Sequence, residues 1–228
     1  MNKTYDVIVV GAGNGGLAAA ANTAHAGLKT LLLEKHNIPG GCATSFRRGR
    51  FEFEPSLHEL CSVGTAERPN AVYKVFDSLG AKINWEYEKG YIFRSIAKGE
   101  NGFDVRLNAG FDEFCESVDA VVPGCKENVK AFLDLKKKVT AAIDYIYATK
   151  GNPNGLVMLL KHADFMRTAG HSVEEVMTAL GIPEKAQNIM NTYWGYLGVP
   201  TDELNAMHFL NMLYGYMVDG AAMPKHRS

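Results

Sequence analysis

The spacing of apolar positions along the chain changes period, and each change marks an element. Val7 to Val10 is a short β-branched run of the kind that forms a buried parallel strand. A glycine cluster follows, Gly11-x-Gly13-x-x-Gly16, and then an alanine-rich stretch at helical period. Lys29 to Glu34 reads as a second strand. Beyond it, Arg50–Glu54, Ile83–Tyr87, Tyr91–Ile96 and Phe103–Leu107 run apolar or alternate, with Gly90 and Asn101-Gly102 as turns between strands. Asn70–Leu79 sets Val72, Val75, Phe76 and Leu79 on one helical face, which predicts burial of that face.

From Gly110 the period is helical throughout. Helices are predicted over 112–121, 126–149, 155–168, 173–180, 183–197 and 203–218. Ser172 with Glu175 fits a capping box, Pro183 suits a first helical turn, and 152–155 is a loop. Tyr193, Trp194, Tyr196, Met207, Phe209, Tyr216 and Met217 belong to an aromatic and methionine-rich ending that reads as core or as an adaptable apolar pocket.

The glycine cluster carries the candidate chemistry. A strand that runs into G-x-G-x-x-G and opens a helix is a dinucleotide-binding pattern: Gly11 permits the tight turn, Gly13 lets backbone approach a pyrophosphate, and Gly16 lets helix and strand pack closely. Ala12, Asn14 and Gly15 lie within the same loop, at a helix N-terminus that faces the phosphates. Glu34 closes the second strand eighteen positions after Gly16, where a carboxylate accepts hydrogen bonds from ribose hydroxyls and repels a 2′-phosphate. An NAD-dependent Rossmann dehydrogenase explains Gly11 to Glu34 equally well, but leaves the next segment without a purpose.

That segment is Glu34-Lys35 and a short spacer, then Gly40-Gly41-Cys42-Ala43-Thr44, then an aromatic stretch ending in Glu54-Pro55-Ser56-Leu57-His58. A Gly pair lets main chain pass beside a pyrophosphate, and Thr44 or Ser45 offers a hydroxyl donor. It resembles the extended motif of flavoproteins with two dinucleotide-binding domains, and within them the phytoene desaturase, carotenoid isomerase and retinol saturase group. The stretch Tyr193 to Pro224 is similar to the part those enzymes place before the chain returns to the flavin domain.

The resemblance implies an α/β fold: a Rossmann-like FAD-binding domain beginning in 1–68, and part of an α+β substrate domain in 69–228, mixed strands to 109 and helical over 110–219. It implies FAD, bound by Gly11, Ala12, Gly13, Asn14, Gly15, Gly16, Glu34, Lys35, Gly40, Gly41, Cys42, Thr44 and Ser56. His58 is the candidate for the active site. It also implies an FAD-dependent oxidoreductase transferring hydride at carbon–carbon bonds of a long apolar, carotenoid- or retinoid-like polyene, by desaturation, saturation or isomerisation. Members of the group are about twice as long, the size of a nucleotide domain plus a large substrate domain, so the chain is expected to be an inactive N-terminal half that needs the missing C-terminal half for a complete site.

Two departures stand out. Phytoene desaturases usually carry Arg where this chain has Cys42, and an Asp-x-Gly where it has Glu54-Pro55-Ser56. The remaining reading is a non-catalytic isoprenoid-binding protein, since Rab GDP-dissociation inhibitors share the fold. The intact glycine triad and Glu34 argue against it.

Composition narrows the picture further. The 228 residues are 46% hydrophobic and 21% charged with a formal net charge of −1, enough for a core and no argument for nucleic acid. The strand pattern begins by Tyr5, which leaves no room for a secretory signal and predicts a cytoplasmic chain. Cys42, Cys61, Cys115 and Cys125 show no C-x-x-C spacing, and the scattered histidines show no metal spacing, so neither a zinc site nor a disulfide framework is expected. Leu156 to Leu160 with Phe165 and Met166 is far short of a membrane span of about 20 residues. It reads as a buried helix face, with peripheral membrane contact as the other reading because Lys161, His162 and Arg167 lie beside it.

Overall fold

A computed structural model describes residues 4–56, 59–218 and 220–225. Leu57 and His58 lie outside the described residues. The chain divides into two units, Met1–Tyr87 with Ala222–Ser228, and Glu88–Ala221.

The first unit starts with a β-α-β element. Strand β1 (Val7–Val10) pairs in parallel with β2 (Thr30–Leu33), Val7 opposite Thr30 and Val10 opposite Leu33, with helix α1 (Asn14–His25) between them in the chain. Strand alternation sorts the side chains. Val7 and Val9 are half-buried, and a Cβ placed on Gly16 of α1 would lie 3.6 Å from Val9 Cγ1, so this face packs on the helix. Ile8, Val10 and Leu33 take the other face and stay 58%, 81% and 46% exposed. Parallel sheets are ordinarily covered on both faces, so this one is half dressed.

After a 3₁₀ turn at Gly41–Ala43 the chain forms an antiparallel hairpin, β3 (Phe46–Arg48) and β4 (Phe51–Phe53), around Gly49 and Arg50. Gly49 has φ +59°, and the Phe46 and Phe53 rings stack with centroids 5.0 Å apart. Then come β5 (Leu60–Cys61), α2 (Ala71–Ser78) and β6 (Trp85–Tyr87). Close to the end of the described chain β9 (Ala221–Pro224) pairs antiparallel with β6, in a sheet ordered β5-β9-β6.

The second unit holds the packed core. Hairpin β7 (Tyr91–Ala97) and β8 (Phe103–Asn108), with a register break between Tyr91 and Phe93, is followed by helices α3 (Phe111–Asp119), α4 (Lys126–Ala148), α5 (Gly155–Lys161), α6 (Ala163–Ala169), α7 (Val173–Ala179), α8 (Glu184–Met190) and α9 (Ala206–Met217). The largest fully buried side chains, among them Tyr193, Phe114, Phe132, Phe209 and Met217, all belong here. Tyr193, Tyr196 and Tyr216 pack ring on ring, so the aromatic ending serves mainly as core. The Ser172 capping box is formed, its hydroxyl accepting from Glu175 N–H and the Glu175 carboxylate accepting from Ser172 N–H.

Several sequence expectations need correction. The helix predicted over 155–168 breaks at His162 (φ −126°, ψ 27°) into α5 and α6. The one over 183–197 is α8, N-capped by Pro183, followed by a 3₁₀ stretch at Asn191–Tyr196. The predicted buried face of α2 is open: Val75 is 58% exposed and Phe76 38%, the latter meeting Trp85 edge-on at 6.1 Å. Leu156, Leu159 and Leu160 of α5, expected in the core, face solvent at 65%, 66% and 73% exposure, while Met158 points inward. Periodicity identifies a common face; which way the face turns is decided by the neighbouring helices. Among the described residues no helix is long and apolar enough to cross a membrane.

Candidate dinucleotide site

The site is built from the end of β1 outward. Gly11, at φ +96°, turns the chain off the strand while its N–H donates to Leu33 O at 2.7 Å, so the turn stays tied to β2. Gly13 is the N-cap of α1 with extended backbone and no side chain to cap the first turn. The first N–H groups of α1 therefore keep their capacity to bind an anion. A Cβ on Gly13 would approach only Gly41 Cα, at 4.0 Å, and one on Gly15 would meet nothing within 4 Å, so both positions open onto free space. Gly16 is the opposite case, its missing Cβ falling 1.8 Å from Gly11 O.

Glu34 projects from the end of β2 to the glycine loop. Its Oε2 accepts from Ala12 N–H at 2.6 Å and its Oε1 from His36 N–H at 2.9 Å. Hydrogen bonds from His36 N–H and then Ala12 N–H hold the carboxyl below its ordinary pKa. A carboxylate has about four lone-pair sites, so Glu34 keeps acceptor capacity for a ribose hydroxyl beside these backbone donors.

The Gly pair lies against the same loop. Gly40 N–H donates to Ala12 O at 2.7 Å, and Gly13 and Gly40 form a parallel bridge. A Cβ on Gly41 would stand 3.1 Å from Gly13 Cα; Gly40 and Gly41 sit at φ +115° and +62°. Ala12, 1% exposed, thus joins three segments: the glycine loop, the end of β2 and the Gly pair.

A cleft of about 640 Å³ opens next to this joint, lined by Glu34, Lys35, Gly41, Cys42 and Thr44 of the sequence candidates and by Ile38, Phe46, Arg48 and Pro55. Cys42 is exposed on the 3₁₀ turn. The Thr44 hydroxyl donates to Pro39 O at 2.9 Å, and Ser45 hydrogen-bonds Glu54, so both hydroxyls already hold the local chain. Ser56 is exposed and does not line the cleft; Asn14 is exposed on the first turn of α1. Sequence reasoning missed Arg48, whose guanidinium lies 5.0 Å from the Phe46 ring centre. The hairpin that aims it was legible in Gly49, flanked by Phe46-Arg-Arg and Phe51-Glu-Phe.

These residues fit the ADP part of a dinucleotide: open backbone at Gly13 and Gly15, an uncapped helix start and a hydrogen-bonded carboxylate with free lone pairs. Glu34 disfavours a 2′-phosphate there. Among the described residues no cluster of His, Cys, Asp or Glu suits a metal ion.

Known proteins bear on this geometry. The family described as NAD(P)-binding Rossmann-like domain matches residues 9–79. The all-trans-retinol 13,14-reductase of Rattus norvegicus is 26% identical over 99% of this chain and 38% of its own length. A chloroplastic prolycopene isomerase of an Oncidium hybrid cultivar is 27% identical over 57% of the chain and 22% of its own. The chain spans less than two fifths of the length of these relatives. In fold it is similar to an oxidoreductase from Methanosarcina mazei (TM-score 0.58, 17% identity, 97% of this chain and 46% of that one). It is also similar to a Rab GDI from Plasmodium falciparum (TM-score 0.57, 13% identity, 98% and 53%). With its Rossmann-like start and helical remainder, the chain is thus similar over nearly its whole length to an all-trans-retinol 13,14-reductase and over part of it to a prolycopene isomerase, the resemblance the Gly11–Glu34 and Gly40–Thr44 segments had suggested.

Proposed function

We propose that the chain carries the ADP grip of an FAD-dependent oxidoreductase that acts at carbon–carbon bonds of a long apolar polyene, of carotenoid or retinoid kind. The observation that carries the reading is the meeting at Ala12 of Glu34 and Gly40. A nicotinamide-only grip needs the glycine loop and the acidic strand end; the Gly pair folded back on Gly13 is the additional part, and it favours FAD over NAD. A nucleotide-free lipid carrier would need neither the open Gly13 nor the engaged Glu34.

Flavin, when bound, supplies hydride acceptance or donation, and the protein supplies orientation and exclusion of water. In this reading Gly13 and Gly15 admit the diphosphate and Glu34 fixes the ribose. Lys35, Gly41, Cys42 and Thr44 border the path onward, and Ser56 and His58 keep the roles the resemblance gives them. Relatives that reduce retinol or isomerise prolycopene by name point to an apolar substrate.

The test is an absorbance spectrum of the purified chain after mixing with FAD and desalting, followed by competition. A retained flavin band displaced by ADP, with riboflavin retained far less, is expected. Retention of NAD and not FAD would transfer the site to a dehydrogenase, and binding of neither FAD nor ADP would remove the assigned grip.

A further inference from the structure

A cavity of about 600 Å³ lies wholly within the unit Glu88–Ala221, between the turn of the β7–β8 hairpin and the 3₁₀ stretch that follows α8. Its size falls in the range of small-molecule sites, roughly 300–1,000 Å³. It shares no residue with the dinucleotide grip.

The floor is a set of hydrogen-bond acceptors. Thr192 donates its hydroxyl hydrogen to Ile189 O at 2.9 Å, so in the contact between the Ser95 and Thr192 hydroxyls Ser95 is the donor. Both hydrogens are then committed, and the two oxygens have only lone pairs left to offer. Next to Thr192 in the chain, the Oδ1 of Asn191 is buried, and no donor among the described residues reaches it. A buried acceptor left unpaired costs about 1–3 kcal/mol. Asn191 lines the cavity and its terminal torsion is soft, so a donor inside the cavity can draw the amide toward it.

The rim is of another kind. Lys98, Asn101 and Asn188 are exposed there, and Trp194, 45% exposed, borders the same space. The Trp194 carbonyl accepts from Leu197 N–H at 2.9 Å and from Gly198 N–H at 3.2 Å. Its neighbour Tyr193 is buried against Phe93, ring centres 4.7 Å apart. An open indole is thus presented on a fixed main chain.

These groups select among ligand chemistries. An apolar ligand would strand the acceptor oxygens. An anion would meet lone pairs on the floor, and a cation would meet Lys98 with no carboxylate in the lining to answer it. A polyhydroxylated ligand has hydrogens for the floor and oxygens for the Lys98 ammonium and the Asn101 and Asn188 amide N–H groups. If that ligand is a sugar, its ring also has a C–H face that packs on an indole.

We propose that this cavity binds a neutral saccharide, with one face of a sugar ring on Trp194 and its hydroxyls on Ser95, Asn191 and Thr192. The proposal goes beyond the dinucleotide reading and stands without it.

Titration of the isotope-labelled chain with glucose, galactose, N-acetylglucosamine, maltose and cellobiose tests it by proton–nitrogen NMR. The Trp194 indole N–H and the backbone N–H groups of Ser95 and Thr192 are the reporters. Saturable shifts at millimolar concentration are expected with at least one of these sugars, while the Trp85 indole stays unmoved. Trp194→Ala should weaken binding about tenfold, and Trp194→Phe much less, because phenylalanine keeps an aromatic face. Asn191→Leu, similar in volume, should weaken it about fivefold with the rest of the spectrum unchanged. No shift with any of these sugars overturns the proposal. Shifts that Trp194→Ala and Asn191→Leu both leave at parental affinity overturn it too, as does a response to adenosine or inorganic phosphate that the sugars do not produce.

Discussion

The carbonyl oxygen of Gly11 occupies the place where a side chain at Gly16 would begin: a Cβ there would stand 1.8 Å from it. Helix α1 approaches the end of β1 that closely only because residue 16 has no side chain. Gly16→Ala should therefore destabilise the first unit by roughly 3 kcal/mol, the upper range for overpacking. Chemical denaturation followed by far-ultraviolet circular dichroism checks it; a variant as stable as the parent would show that the helix can retreat without cost.

Gly13 should separate binding from folding. Its backbone is extended at φ −74° and ψ 178°, and an added Cβ meets only Gly41 Cα at 4.0 Å, so Gly13→Ala should fold within about 1 kcal/mol of the parent. Its methyl group would project toward the diphosphate, and FAD affinity should fall about tenfold or more, equivalent to ~1.4 kcal/mol. Fluorescence titration of FAD on both proteins measures the difference.

Glu34 predicts an acid-sensitive grip. The folded protein holds its carboxyl below the ordinary value, through His36 N–H and Ala12 N–H. Its contribution is therefore complete above the unfolded-state pKa and fades as pH falls through the folded-state pKa. FAD affinity should decline over that acid range, and the Glu34 side-chain carbon resonance should titrate below a free glutamate. Glu34→Gln should remove this component of the pH dependence while reducing affinity at neutral pH.

The cysteines should divide by reactivity, since the thiolate is the nucleophile. Burial pushes the Cys115 thiol up to about 12 and raises Cys125 as well, whereas Cys42 is exposed beside the cleft. Mass spectrometry after brief alkylation should find Cys42 modified well before Cys115 or Cys125. FAD should slow modification of Cys42 specifically; equal rates with and without FAD would detach that residue from the binding path.

What the sequence made legible follows from how local each feature is. Gly11, Gly13, Gly16 and Glu34 sit at fixed offsets around one β-α-β element, so spacing alone leads to them. The joint at Ala12 was less visible, because its contacts are made by backbone groups that any residue possesses. The break at His162 has no proline or glycine to announce it. The stripe Leu156, Leu159, Leu160 shows the general case: its period is written in the sequence, but its outward direction depends on α4 and α6, which periodicity does not position.

The joint at Ala12 ties together the fates of distant positions. One residue gives its N–H to Glu34 and its carbonyl to Gly40, so the five residues from Lys35 to Pro39 form a bridge pinned at both ends. An insertion there, in what looks like a tolerant surface loop, would pull one attachment or the other out of place. Whatever side chains the bridge carries, its length is fixed: the ruler is set by the distance between a side chain and a glycine that both hold the same alanine.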